Sequence, residues 1–287
     1  MVEHLHPGAS ARQAAVVLFD FDGTVSLIRA GWVDVMVPMM VEILLGLRTG
    51  ESEESLTALV EDFVGRLTGK QTMYQMIELA NQVEQRGGKP LDALQYKKAY
   101  LERLHAKIAY RLEELRAGAA PPEKYLVPGA RRWLEALYAR GLRMYLASGT
   151  DQQYMREEAD LLDVSRYFDG RVYGALDDYK SFSKKILIQR LIASAECEGR
   201  HILCFGDGYV EIENVKEVGG IAVGVATSEP ECREVDQWKR KRLASVGADF
   251  IIPNFLCHDE LTAALFPDGE SSGASGTDPQ TAAPQNV

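Results

Sequence analysis

Short apolar, β-prone runs recur along the chain with helical patterns between them. AAVVLFD (14–20), LRMYLAS (142–148), HILCFGD (201–207), IAVGVAT (221–227) and ADFIIP (248–253) suit buried strands. Helical patterns fall at 130–140, 152–162, 183–196 and 230–246. Gly141 follows the first, Ser183 can cap the third, and Gly247 closes the last. This alternation predicts an α/β fold: a Rossmann-like, mostly parallel sheet with helices on both faces. From 29 to 127 the pattern changes. Only helix-like periodicity is found there, with candidate helices at 31–47, 52–67, 70–86 and 91–117. The block ends in AGAAPPEKYLVPG (117–129), and about 100 residues are enough for a small domain. The expected organisation is a core of 14–28 and 128–265, an inserted all-helical domain of 29–127, a flexible N-terminus of 1–13 and a disordered tail of 266–287. The tail is polar and rich in Gly, Ser and Pro.

Composition narrows the partners. The chain has 287 residues, 46% of them hydrophobic and 26% charged, with a net charge of −10. That balance argues against a general nucleic-acid-binding surface. An anionic substrate would need local positive charge from a metal ion, a lysine or helix N-termini. Cys197, Cys204, Cys232 and Cys257 form no C-x-x-C pair and read as small buried residues of a reduced compartment. The most apolar stretch, VDVMVPMMVEILLGL (33–47), carries Asp34, Pro38 and Glu42 and falls short of a membrane span, so it reads as a buried helix. The expectation is a cytoplasmic protein with neither membrane nor nucleic-acid partners. His105, within a helical pattern, reads as a helix-surface residue.

The chemistry collects at strand ends, where open α/β sheets bind ligands. LFDFDGTV (18–25) places Asp20 and Asp22 two residues apart, on one side of an extended chain. Two carboxylates that close repel unless a cation, a shared proton or divided roles compensate. An ordinary strand running into an Asp-Gly turn gives the same letters. The next strand ends in SGT (148–150), where the Ser148 hydroxyl and free backbone N–H groups could hold a phosphate oxygen or merely cap a helix. GDGYVE (206–211) puts Asp207 at a third strand tip and Glu211 on the same face of the following helix. Lys184 stands at a helix N-terminus, against the dipole, with Lys180 and Lys185 as neighbours.

Together, DFDGT, SGT, the lysine and GDGxxE resemble the haloacid dehalogenase-like hydrolase superfamily over about 14–28 and 128–265. Lys184 precedes Asp207 by 23 residues, which suits the family's spacing; Lys180 fits less well. The resemblance implies that Asp20 is a nucleophile forming an aspartyl-phosphate and that Asp22 is the general acid and base. It implies Mg²⁺ held by Asp20, the backbone carbonyl of Asp22 and Asp207, with Glu211 orienting a metal-bound water. Ser148, Gly149 and Lys184 would hold the phosphoryl oxygens. Many members carry Asn-Asp where this chain has Val210 and Glu211, and Val210 cannot be a polar partner. Asp22 favours phosphoryl transfer over carbon–halogen cleavage, and Thr24 is typical of the phosphatase branch. The 29–127 block then looks like a helical cap between the first and second motifs, closing over a small phosphoester, with a sugar phosphate expected. Arg29 at its hinge and Lys70 in GKQT (69–72) are candidate contacts, although GKQT also suits a plain helix start. A phosphomutase of the same superfamily and a non-catalytic binding member are the alternatives. No G-x-G-x-x-G follows the first strand and no P-loop is present.

Overall fold

The computed structural model describes residues 1–176, 183–193 and 197–267. Its centre is a seven-stranded sheet formed by β1 (Glu3–His4), β2 (Val16–Phe19), β3 (Arg143–Asp151), β4 (Val172–Ala175), β5 (Ile202–Gly206), β6 (Ile221–Val225) and β7 (Phe250–Ile252). The order is β1-β7-β6-β5-β2-β3-β4, parallel except for β1. β2 is central, with β3 and β4 to one side and β5 to β7 to the other, so the chain reverses its direction of travel at β2. That switch point opens a crevice beyond the carboxyl ends of the strands. Phe19 is in register with both Leu146 and Phe205, which brings the tips of β2, β3 and β5 level.

Side-chain alternation explains the two covered faces. Val16 and Leu18 pack with Leu187, Ile188 and Leu191 of α7 (Lys184–Ala193) and Val215 of α8 (Tyr209–Glu217). Val17 and Phe19 join the opposite core with Trp133 of α5 (Ala130–Ala139), Met155 of α6 (Gln152–Leu161) and Leu261 of α10 (His258–Leu265). Aromatic rings knit this side. Phe205 stacks on Phe19 at 4.8 Å between centroids and meets Trp133 at 5.7 Å and Phe255 at 5.8 Å. α9 (Gln237–Ser245) covers β6 and β7 through Leu243.

Between β2 and α5 lie four helices, α1 (Val33–Leu45), α2 (Glu53–Leu67), α3 (Thr72–Gln85) and α4 (Ala93–Arg116). Ser52 caps α2, and an Asp92–Gln95 capping box starts α4. Their buried residues, including Met40, Val60, Leu79 and Leu104, belong to the same continuous core as the sheet. Among the described residues, no helix is long and apolar enough to cross a membrane.

Several expectations change. Residues 1–13 are not loose: β1 adds an antiparallel edge strand to β7, and Val2 and Ala11 are buried. β4 was not expected from the pattern, and neither was α10. The helix expected over 230–246 begins only at Gln237, capped by Asp236. Phe266 does not belong to a tail, because it packs on the core with Arg140 over its ring at 4.6 Å. The tail from 268, Lys180 and the end of the 183–196 helix lie outside the described residues. His105 is half-buried against Tyr154 rather than a free surface group, and burial lowers its pKa. Phe205→Ala would remove the ring shared by three aromatic contacts in the middle of the sheet. A loss of about 3–5 kcal/mol is expected in denaturant unfolding.

Candidate active site

The tips of β2, β3 and β5 carry the acidic and hydroxyl groups into one volume. Asp20 follows β2 and is buried, its Oδ1 accepting the Phe21 N–H at 2.8 Å. The chain then turns at Gly23, whose φ of 73° disfavours other residues. A Cβ there would lie 2.3 Å from Asp207 Oδ2, so the turn also needs glycine for space. Asp22 Oδ2 accepts hydroxyl hydrogen bonds from Ser148 at 3.0 Å and Thr150 at 2.8 Å, both from β3. Ser148 Oγ in turn accepts the Thr150 N–H at 3.0 Å. Ser148 therefore orients Asp22, in addition to lining the cavity.

Lys184, the first residue of α7, is buried between two carboxylates. Its Nζ lies 2.9 Å from Asp20 Oδ1 and 2.8 Å from Glu211 Oε2. These carboxylates compensate the cation that opposes the helix dipole, while Ser183 caps the helix by accepting the Ile186 N–H. Glu211 is fully buried, and its other oxygen accepts the Gly208 N–H at 2.7 Å. Burial alone would lower the Lys184 pKa, but Asp20 and Glu211 more than offset this and keep the ammonium charged. Burial pushes the Asp20 carboxyl well above the usual range; Lys184 opposes this, while Glu211 and Asp207 add to it.

Asp20, Asp207 and Glu211 each offer an oxygen within 4.8 Å of one another. Three converging hard oxygen donors suit Mg²⁺, and a dication would offset the burial and the repulsion that raise Asp20. With Glu211 engaged by Lys184 and Gly208, Asp20 and Asp207 have the freer oxygens. The group fits.

Around this centre lies a cavity of about 100 Å³, lined by Arg29, Lys70, Gln75 and Tyr100 as well as the strand-tip residues. The α2–α3 turn closes it. Gly69 packs on Gly208, and a Cβ on Gly149 would lie 2.9 Å from the Lys70 carbonyl oxygen. Gly149 thus serves close approach of the two backbones. Lys70 lies 5.7 Å from the Tyr74 ring centroid and faces the cavity. Arg29 is buried and forked onto Glu158 of α6, with Nη2–Oε1 at 2.6 Å, and its Nε stands 4.0 Å from Asp22 Oδ1. Among the described residues that oxygen has no hydrogen-bond partner. Burial alone would lower the Arg29 pKa, but Glu158 and then Asp22 reverse the effect. Lys97 of α4 is buried against Asp151 at 2.5 Å, tying the helical block to the tip of β3.

Sequence reasoning brought together Asp20, Asp22, Ser148, Gly149, Lys184, Asp207, Glu211, Arg29 and Lys70, and all of them lie in or against this site. It missed Thr150, Glu158 and the Lys239–Glu229 pair beside Asp207. Thr150 was visible as a second hydroxyl in SGT. Glu158 and Lys239 lie in charged helical stretches and carry no local signal.

A model of haloacid dehalogenase-like hydrolases matches residues 14–219. Comparison with curated protein sequences gives no match. The fold is similar to a predicted phosphatase from Clostridium acetobutylicum, with 18% identity over 86% of this chain and 96% of that one and a TM-score of 0.54. It is also similar to a predicted phosphoglycolate phosphatase from Haemophilus somnus, with 16% identity, 87% and 98% coverage and a TM-score of 0.53. CbbY from Rhodobacter sphaeroides, solved with phosphate, aligns at 15% identity over 84% of this chain and 95% of that one, with a TM-score of 0.51.

Glu158→Gln would leave the Arg29 guanidinium buried without its countercharge. A loss of about 3–5 kcal/mol is expected in denaturant unfolding. Replacing both residues by apolar ones of similar volume is expected to recover most of it.

Proposed function

We propose that this chain, which belongs to the haloacid dehalogenase-like hydrolases, is a Mg²⁺-dependent phosphatase of a small soluble metabolite. The observation that carries the reading is the placing of Asp20. It lies 2.9 Å from a buried ammonium and beside the oxygens of Asp207 and Glu211, while two hydroxyls hold Asp22 alongside.

In this reading Asp20 attacks phosphorus and the bond to the leaving oxygen breaks, giving an aspartyl-phosphate and splitting one displacement into two. Asp22 gives its proton to the leaving oxygen, then takes one from the water that releases inorganic phosphate and restores Asp20. The Ser148 and Thr150 hydroxyls hold Asp22 in place for both transfers. Lys184 balances the phosphoryl charge, and Ser148 and Gly149 line the place its oxygens would occupy. Mg²⁺, when held by Asp20, Asp207 and the Asp22 carbonyl with Glu211 nearby, supplies charge neutralisation on the phosphoryl oxygens.

The helical block over 29–127 acts as a cap that excludes water and contacts the leaving group through Arg29 and Lys70. The helical block over the strand tips leaves a cavity of about 100 Å³ there, and the space beside it, about 310 Å³ in volume, shares Lys70, Ser148, Gly149 and Lys184, room for a small phosphoester. Gln75, Thr72 and Tyr100 would meet the hydroxyls of a short sugar phosphate. Cys204, Cys232 and Cys257 form no disulfide, which accords with a reducing, cytoplasmic setting.

Inorganic phosphate release from a panel of sugar phosphates, phospho-acids and nucleotides tests this. Steady turnover with Mg²⁺ is expected on compact phosphoesters, abolished by EDTA and by Asp20→Asn. A burst of phosphate without steady turnover would instead mean transfer to a second hydroxyl. No release from any compound by the folded chain would overturn the phosphatase reading.

A further inference from the structure

Asp207 is held by a pair of residues far from its own strand end. The positions after it offer little support, since Val210 is apolar and both oxygens of Glu211 are engaged by Lys184 and the Gly208 N–H. Instead, Nζ of Lys239, in the first turn of α9, lies 2.9 Å from Asp207 Oδ2 and 2.8 Å from Glu229 Oε1. Asp236 caps α9 by accepting the Trp238 and Lys239 N–H groups at 2.9 Å, which settles the backbone from which the lysine reaches. A cation in the first turn opposes the helix dipole, so this placement is unfavourable unless carboxylates offset it. The same oxygens lie against the Asp20–Asp22 turn: a Cβ on Gly23 would stand 2.3 Å from Asp207 Oδ2 and 3.2 Å from Glu229 Oε1.

We propose that Lys239 and Glu229 form a charge-neutral clamp that fixes Asp207 Oδ2 and so reserves Oδ1 for the divalent cation. This rests on the reading of Asp207 as a cation ligand. One positive and one negative charge leave the pocket's net charge unchanged, so the clamp acts by orientation. Partners that orient a metal ligand in this way commonly contribute 10–100-fold to metal affinity. Lys239 and Glu229 are therefore positioning residues. They replace, from α9 and the loop after β6, the polar neighbour that Val210 cannot be.

The test is calorimetric titration of the full chain with Mg²⁺ alone, checked by Mn²⁺ electron paramagnetic resonance, without substrate. The double variant Glu229→Gln/Lys239→Met keeps the net charge of the pair at zero but removes the hold on Asp207. Its Mg²⁺ dissociation constant is expected to rise about 10–100-fold, with unchanged circular dichroism. If it does not fold, Glu229→Gln alone serves, because the Lys239 charge then falls on Asp207 only and affinity is again expected to drop. Wild-type binding with unaltered affinity in the folded variant would overturn the clamp. A wild-type chain that binds no Mg²⁺ would overturn both the clamp and the reading on which it rests.

Discussion

Like charges crowded at the tips of three strands are the constraint on which the rest of this molecule depends. Asp20, Asp207 and Glu211 bring carboxylate oxygens within 4.8 Å of one another, and Asp22 stands beside them. Charge so concentrated and so little solvated must be balanced locally. The chain offsets part of it with three buried or nearly buried cations from three different segments. Lys184 comes from the start of α7, Lys239 from the start of α9, and Arg29 from the loop before α1. Each is in turn held by a second carboxylate, namely Glu211, Glu229 and Glu158. Packed on the sheet by their apolar faces, α6, α7, α8 and α9 thus also supply the partners of the acidic centre.

The helical block is fitted to the same centre by close backbone approach. Gly69 against Gly208 and Gly149 against Lys70 leave no room for a Cβ between the α2–α3 turn and the strand tips. On its other flank, the block is tied to α6 and the end of β3 by Lys97–Asp151, by Arg116–Glu157 and by the edge of Tyr154 against His105. The cavity left between block and sheet is small and mixed in character. Trp32, Met36 and Leu104 supply apolar walls, and Arg29, Gln75 and Tyr100 supply polar atoms. Such a lining fixes the orientation of a compact ligand through a few directed contacts.

The core strands were legible because parallel strands covered on both faces are written as continuous apolar runs. β2, β5, β6 and β7 fall within the runs read from the chain, and β3 extends three residues past its expected end through a register shift after Ala147. β1 is two residues long and β4 contains Gly174, so neither has enough periodicity to stand out. In the 230–246 stretch, charge spacing resembled a helix, yet Pro230 and the Asp236 cap postpone α9 to Gln237. The acidic strand tips were legible only in combination, because DFDGT alone also suits a strand running into an Asp-Gly turn, whereas DFDGT, SGT, the lysine and GDGxxE together do not read as ordinary turns.

By itself, the sequence determined the five central strands, most of their covering helices and the residues delivered to the strand tips, because periodicity and turn chemistry are local properties of the chain. Only the tertiary structure decided which cation answers which carboxylate. Arg29 and Glu158 are 129 positions apart, and Ser148 and Asp22 are 126 apart, so no window along the chain contains both partners. Coulombic and hydrogen-bond energies depend on distances in space, and those distances exist only after the helices have packed on the sheet.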